Sequence, residues 1–298
     1  MKKKAGNMKL IALLPIVLVL LISGCSSGGG PTLGVGGLSV SNFRSDVQSS
    51  SAKPIASDEA FILSLDVKND GDRSAKSVSV VLQRDAGQFS SGQTLRDSSV
   101  SEVAVGDSHT YTFDLKAPKL PNDLVKSYTV VGRVYYGYET DAVKTIQLVG
   151  KDEVKRRIDN NQPIPLSGTV QYTKGPLTVD VGSNIDYVRV SQQKKVYQVP
   201  ITVTNSGGGV VAQEQLFGST RDYLVDVKIT GASLIPTNSC GQQKTVKLEQ
   251  GQSKTMLCEF SIDNTNTIDE TKTVQVNLQY NYYRDIETTV WVGQKTNE

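Results

Sequence analysis

Histidine, tryptophan and cysteine are scarce in this chain of 298 residues, which has one His, one Trp and three Cys. Catalysis that depends on histidine would have to use His109, because the chain has no other imidazole. The sequence also lacks a Cys-x-x-Cys pair, so it supplies no ligand set for zinc or haem. We therefore expect neither a metal centre nor a cofactor.

An excess of charge of one sign is also missing. The chain has 32 basic and 30 acidic residues, so it lacks the basic surplus that nucleic-acid binding needs. Residues 1–24 contain four lysines and no acid, which leaves 28 basic and 30 acidic side chains in the remainder. Only 6% of residues are aromatic. This composition suits modest β-sandwich cores of Val, Ile, Leu and Thr.

The residues before His109 resemble a lipase sequence motif. Residues 106–108 read Gly-Asp-Ser, as in GDSL-type lipases, but 251–253 read Gly-Gln-Ser at the matching place later in the chain, without a histidine. No Asp-x-x-His follows. The second repeat keeps the serine of this motif without a histidine that could act as its base. The motif is therefore better explained by structure than by a catalytic nucleophile. We predict a turn here and no enzymatic activity.

Two loops are rich in oxygen ligands. Residues 69–72 read Asn-Asp-Gly-Asp, and residues 263–270 contain two Asp, two Asn and one Glu. Neither has the spacing of a calcium loop, and Asn-Ser-Gly-Gly replaces the first motif at 205–208. We predict turns, in which Asn and Gly tolerate positive φ, and no metal site.

The N-terminus has the layout of an export signal. A stretch with four lysines precedes an apolar run at 10–22, which is shorter than the ~20 residues of a membrane-spanning helix. Residues 21–25, Leu-Ile-Ser-Gly-Cys, resemble the lipobox of prokaryotic lipoproteins. The resemblance implies removal of the signal peptide 1–24 and a diacylglyceryl group on Cys25. The alternative is an ordinary signal peptide with an incidental cysteine.

The segment 25–37 is rich in Gly and Ser and reads as a flexible tether. With a lipid on Cys25, the first partner is the membrane itself, and the folded part lies outside the cytoplasm, at the cell surface or in the periplasm. Once Cys25 is lipidated, Cys240 and Cys258 remain as an even pair in that compartment, so we predict a disulfide between them. The alternative is a pair of buried free thiols.

A series of strand patterns occurs twice in the remaining chain. An alternating strand that ends in Asn-x-Gly lies at 61–71 and again at 199–207, and Gly-x-Ser-x-Thr lies at 106–110 and 251–255. Residues 130–138 then match 274–282 position by position. The pattern predicts an all-β fold of two tandem antiparallel Ig-like sandwiches, each with its own core.

We place these sandwiches at 38–150 and 165–293, followed by a tail at 294–298. A charged linker at 151–164 joins them, as a solvated connector or a short helix. Within the first sandwich, we expect 78–82 to pair with 61–67 across the Asn-x-Gly turn.

Tyrosines concentrate on the last long strand of each repeat. Because neighbours on a strand face opposite sides, Tyr136 and Tyr280 are expected to pack inward and Tyr135 and Tyr283 to face outward. Tyr135 and Tyr283 are therefore the candidate binding surface. The alternative is that they are structural.

The Asn-x-Gly and Gly-x-Ser-x-Thr turns resemble those of CARDB-type and related Ig-like modules of prokaryotic surface proteins. The resemblance implies adhesion, scaffolding or spacing outside the cell. We therefore expect a membrane-anchored, non-catalytic interaction module of the cell envelope, with a protein or glycan partner. The alternative is an accessory substrate- or polysaccharide-binding subunit of an exported system.

Overall fold

The computed structural model describes residues 36–91, 95–121, 124–191, 196–212, 223–232, 235–237, 239–262 and 269–294. These residues belong to one compact unit, Leu33–Glu298. The expected signal peptide, Cys25 and nearly all of the tether lie outside the described residues, as do residues 295–298 of the tail.

The first repeat forms eight strands and a short 3-10 helix at Asp85–Gln88. The strands are β1 Leu38–Ser45, β2 Ile55–Ala56, β3 Ala60–Asn69, β4 Ala75–Arg84, β5 Ser90–Ser91, β6 Arg96–Val103, β7 Ser108–Lys116 and β8 Lys126–Gly150. In β3 and β7 buried residues alternate with more exposed ones, which is the pattern of strands with one face in the core.

The second repeat forms ten strands and a 3-10 turn at Ser239–Gly241. The strands are β9 Gln171–Tyr172, β10 Leu177–Val181, β11 Val188–Val190, β12 Val196–Asn205, β13 Val210–Val211, β14 Leu224–Ala232, β15 Ile235–Pro236, β16 Lys244–Lys247, β17 Ser253–Ser261 and β18 Asp269–Gly293. The α-helix α1, Lys151–Asp159, stands between the repeats. The expected all-β sandwich fold is confirmed.

The strands form three sheets. Two sheets have four strands each, in the orders β1-β3-β7-β5 and β10-β12-β17-β15. The third has ten strands and follows the path β16-β14-β18-β8-β4-β6, with β2, β9, β11 and β13 paired along its sides. The order is therefore the same in both repeats, and the large sheet runs through both.

The strand pairing predicted across the first Asn-x-Gly turn is wrong. β3 pairs with β1 and β7, whereas β4 pairs with β6 and β8 in the large sheet. The chain thus crosses from one layer to the other at this turn. As a result, Leu63 and Leu65 of one layer and Val78 and Val80 of the other are all completely or almost completely buried in the same core.

Strands β8 and β18 each have 25 residues and pair antiparallel from Lys126↔Val292 to Val149↔Asp269. Both are far longer than the usual strand of about 5–6 residues. The last part of β8 also pairs with β9 and β11 of the second repeat, while the end of β18 pairs with β2 of the first. Each sandwich therefore contains half of a strand from the other repeat.

This exchange of strands merges the two cores. One cluster of buried side chains contains residues of both repeats, from Leu38 to Val292. The expectation that each repeat buries a separate core is therefore wrong. The cause is the length of β8 and β18, since neither ends where its own sandwich ends.

The expected linker region contains the helix α1, which is the short-helix alternative. Val154 is 4% exposed, and Arg157 donates to Asp269 at 2.9 Å. The helix therefore lies against the body and is not a free connector. Ile158, one turn further along the helix, is exposed.

The two repeats are related by an approximate two-fold axis. Residues 130–138 match 274–282, and the same residues pair in opposite directions, with Tyr136 opposite Tyr282 and Tyr138 opposite Tyr280. Gly137 both matches Asn281 in the repeat and pairs with it in the sheet. The axis that exchanges the two repeats therefore passes through this pair. Such self-complementary pairing is the geometry of a symmetric dimer interface.

The Asn-x-Gly turns are held by the asparagine side chain. Asn69 Nδ2 donates to the carbonyl oxygens of Arg73 at 2.8 Å and Val103 at 3.0 Å, and its Oδ1 accepts from Gly71 N at 3.0 Å. Asn205 makes three similar bonds in the second repeat, and its Oδ1 also accepts from the Tyr282 hydroxyl at 2.8 Å. Neither asparagine has positive φ, so the predicted reason for this residue type is wrong. The amide is needed because it satisfies buried backbone groups.

The glycine of each turn makes room for a tyrosine. A Cβ on Gly207 would lie 2.6 Å from Tyr282 Oη, and a Cβ on Gly71 would overlap Tyr138 Oη. Both hydroxyls accept a hydrogen bond from a turn N–H, at 2.7 Å for Tyr282 and 3.2 Å for Tyr138. These two tyrosines thus tie the turns to the long strands beside the two-fold axis.

Candidate functional site

Tyr135 and Tyr283 form a cross-strand pair. They are opposite each other in the register of β8 and β18, with ring centroids 5.5 Å apart. Both belong to a small cluster with Ala212, apart from the main core, so they face the side predicted by the alternation. However, they are only 4% and 3% exposed. The expectation that they form an exposed surface is therefore wrong.

Arg133 and Asp285 lie next to this pair. Arg133 Nε and Nη2 each donate to Asp285 at 2.7 Å, and its guanidinium lies 4.1 Å from the centre of the Tyr283 ring. The hydrogen bonds that Arg133 donates to Asp285 raise the pKa of Arg133, so its positive charge is permanent. The group has the geometry of a structural clasp between β8 and β18.

Cys240 and Cys258 form the predicted disulfide, with a Cα–Cα distance of 5.6 Å. Both residues are buried in the main core, at 2% and 0% exposure. The bond joins the 3-10 turn at Ser239–Gly241 to β17, and it is typical of proteins outside the reducing cytoplasm.

His109 lies on β7 opposite Val67, and its ring packs edge-on against Tyr111 at 4.7 Å. The strand begins at Ser108, within the Gly-x-Ser-x-Thr motif, and Gly106 in the turn before it has φ of 83°. Gly251 has φ of 73° at the matching place. Within the part of the chain that the structure describes, no three His, Cys, Asp or Glu side chains come together as a metal site.

The described helices were compared with the requirements of a membrane-spanning helix. Among the described residues, none of the helices has both the length and the apolar character needed to cross a bilayer.

A cavity of about 440 Å³ lies in the second sandwich, at the edge strand β10 and beside the segment 167–172. Lys144 reaches it from the inner face of β8, and Val179 and Asp180 line it from β10. Asp186 and Tyr172 complete its polar wall.

Lys144 is the unusual group of this cavity. The residue is 3% exposed, and its ammonium donates to the carbonyl oxygen of Gly182. Burial lowers the pKa of Lys144, while the nearby Asp180 and Asp186 act in the opposite direction. Among the described residues, this buried ammonium has a carbonyl oxygen as its partner and no carboxylate within ion-pair distance. Such a state is uncommon, since charged groups inside proteins are usually paired.

The sequence held a signal for this site that pattern reasoning missed. On the inner face of β8, Ala142, Lys144, Ile146 and Leu148 follow one another at every second position. A lysine among apolar residues of one strand face indicates a buried charge. The matching position of the second repeat is Thr288, so the repeat does not require a lysine there.

Comparisons with known proteins do not assign this chain to a family. No protein-family model matches it, and no curated protein matches it. A solved structure of red sea bream transglutaminase is 13% identical, covers 88% of this chain and 32% of its own length, and has a TM-score of 0.19. The chain thus spans about a third of that enzyme, and so low a TM-score carries no argument on fold or activity.

Proposed function

We propose that this chain is a lipid-anchored, non-catalytic module of the cell envelope, which holds a protein or glycan partner at a fixed place outside the cytoplasm. The observation that carries the proposal is the continuous large sheet. Because β8 and β18 run through both sandwiches, the two halves cannot hinge against each other. A body of this kind is suited to spacing or presentation.

Two features support the location. Residues 21–25 have the lipobox-like sequence Leu-Ile-Ser-Gly-Cys, followed by a Gly/Ser-rich tether. The Cys240–Cys258 disulfide is the second feature, since such bonds persist in oxidising compartments. Together they favour an extracytoplasmic protein attached through Cys25.

Two features support a role without catalysis. The sole histidine lies on a regular strand and packs against Tyr111. The best-formed side-chain constellation outside the core, Arg133 with Asp285 and Tyr283, has all its groups engaged with one another. Both are structural arrangements.

The anchor is tested by Cys25→Ser, with Ser27→Ala as a matched control. We expect wild type and the control to sediment with membranes and to carry an acylated N-terminal cysteine in mass spectra. Cys25→Ser should be released or remain unprocessed. A wild-type chain that begins at another residue and is recovered without membranes would refute the anchor.

The non-catalytic role is tested separately by His109→Ala in cells. The cross-linked partner bands obtained from intact cells should be the same for wild type and the variant, because no reaction is involved. Loss of the cellular role in a variant that is still folded and membrane-bound would reopen the possibility of an enzyme.

A further inference from the structure

We propose that the cavity beside Lys144 binds a small zwitterion of the α-amino acid type. The ligand carboxylate would lie at the Lys144 ammonium, and the ligand ammonium at the carboxylates of Asp180 and Asp186. The inference concerns a site within the folded body, so it goes beyond the proposed anchoring role and does not depend on Cys25.

The ammonium of Lys144 has unused donors. A lysine ammonium carries three N–H groups, and within the described chain only the bond to the Gly182 carbonyl is formed. Two donors therefore remain inside a residue that is 3% exposed. Buried donors without partners are destabilising, so an acceptor that enters the cavity gains from them.

The carboxylates on the other side of the cavity are also largely free. Asp180 accepts only a long hydrogen bond from Ser183 N, at 3.4 Å. Asp186 makes no side-chain hydrogen bond or ion pair within the described residues, although both carboxylates act electrostatically on Lys144. The wall thus presents one positive and two negative groups, each with unused capacity.

This charge pattern selects among ligand classes. A simple anion would meet Lys144 but would be repelled by the two aspartates, and a simple cation would leave the Lys144 donors unfilled. A zwitterion satisfies both ends at once. Charge complementarity of this kind mainly supplies specificity.

Two further features fit a small polar ligand. Tyr172 lines the cavity, and its hydroxyl is buried without a hydrogen-bond partner in the described structure. The volume of about 440 Å³ lies within the range of small-molecule sites, about 300–1,000 Å³. Val170, Val179 and Ile185 add an apolar part to the wall, where a ligand side chain can pack.

The test uses the full chain in detergent and saturation-transfer NMR with the standard amino acids. We expect at least one amino acid to bind. Its two half-molecules, the carboxylic acid without the amine and the amine without the carboxylate, should each bind about tenfold more weakly or worse, because each loses one charge-assisted contact.

Variants then locate the site. Lys144→Met and Asp186→Asn should each weaken binding about tenfold or more. Lys228→Met is the matched control, since it removes the same charge from an exposed position on β14 and should leave the affinity unchanged. Asp186 is exposed, so Asp186→Asn keeps the test valid if Lys144→Met unfolds.

Three outcomes would overturn the proposal. They are no binding by any amino acid, equal binding by a half-molecule, and unchanged affinity in folded Asp186→Asn. Because membrane attachment is not measured here, these outcomes leave the test of Cys25 unaffected.

Discussion

Separating the two repeats should abolish the fold of each. A fragment of residues 38–150 keeps β8 but loses the elements of the second repeat that cover its second half, where Ile146 and Leu148 are each 1% exposed. Burial of one such side chain contributes about 1.5–3 kcal/mol, so exposure of both costs roughly 3–6 kcal/mol. This reaches the lower end of the whole stability of a domain, about 5–15 kcal/mol.

The fragment 38–150 also loses packing in its own sandwich, because it lacks the end of β18. Val290 and Val292, at 1% and 0% exposure, belong to the second repeat by sequence but lie in the common core. We therefore expect fragments 38–150 and 165–293 to be unfolded or self-associated when alone. When mixed, they should form a one-to-one complex with the β-sheet signal of the intact chain.

Size-exclusion chromatography with light scattering, circular dichroism and urea unfolding measure these expectations. The matched control is a chain cut by an inserted protease site at Asn161, just after α1. It contains both repeats, so it should remain associated and unfold in one transition. A monomeric 38–150 fragment that unfolds cooperatively, with the midpoint of the intact chain, would refute the interlocked core.

Three further predictions concern individual contacts. Asn69→Ala should lower the free energy of unfolding by about 3 kcal/mol, since three hydrogen bonds of about 1 kcal/mol each are lost, and Asn205→Ala should have a similar effect. Asn42→Ala, which removes one exposed bond to Asp66, should cost less than half as much in the same urea titration, and equal losses would contradict the turn argument. Cys258→Ser opens a disulfide with a sequence separation of 18 and should cost about 3 kcal/mol, whereas an unchanged melting temperature would count against this contribution. The pKa of Lys144 lies below its usual 10.5, so the unfolded chain binds more protons between the two values and the free energy of unfolding should rise with pH in that window. Lys144→Met should lack this rise. If the free energies of unfolding of wild type and variant change with pH in parallel, the burial of Lys144 does not affect stability.

Several parts of the fold follow from the sequence because they depend on local alternation. The strands around Leu63, Val67, Ile201 and Val203 have the predicted period, and their inward positions are buried. The partner of each strand is not a local property. A turn such as Asn-x-Gly fits both a hairpin and a crossing between layers, so the sequence did not distinguish the two.

The full length of β8 does not follow from the sequence, for a physical reason. The stretch Glu139-Thr140-Asp141 is polar, so the apolar alternation of 130–138 stops there. In the structure, the Thr140 hydroxyl points inward and shares a 2.8 Å hydrogen bond with Tyr280, while Asp141 accepts from Asn277 at 2.8 Å. Polar residues continue a strand when the partner strand supplies their hydrogen bonds.

The tyrosine pair shows another limit of local reasoning. Alternation gives the correct side of the sheet for Tyr135 and Tyr283, but exposure depends on what covers that side. Val210 and Ala212, distant from Tyr135 in sequence, pack there. For Lys144 the opposite holds, since its burial could have been predicted from the residues on either side of it in the inner row.

Because a two-fold axis passes through Gly137 and Asn281, the two repeats of this one chain are arranged like the two subunits of a symmetric dimer. A single repeat would be half of such an assembly, and it would complete its sheet only by meeting a second copy. Joining the halves through α1 turns that encounter into an intramolecular step, for which short connections give effective concentrations in the millimolar range. The completed sheet therefore does not depend on how many copies the cell makes, and a scarce protein of this design is as well assembled as an abundant one.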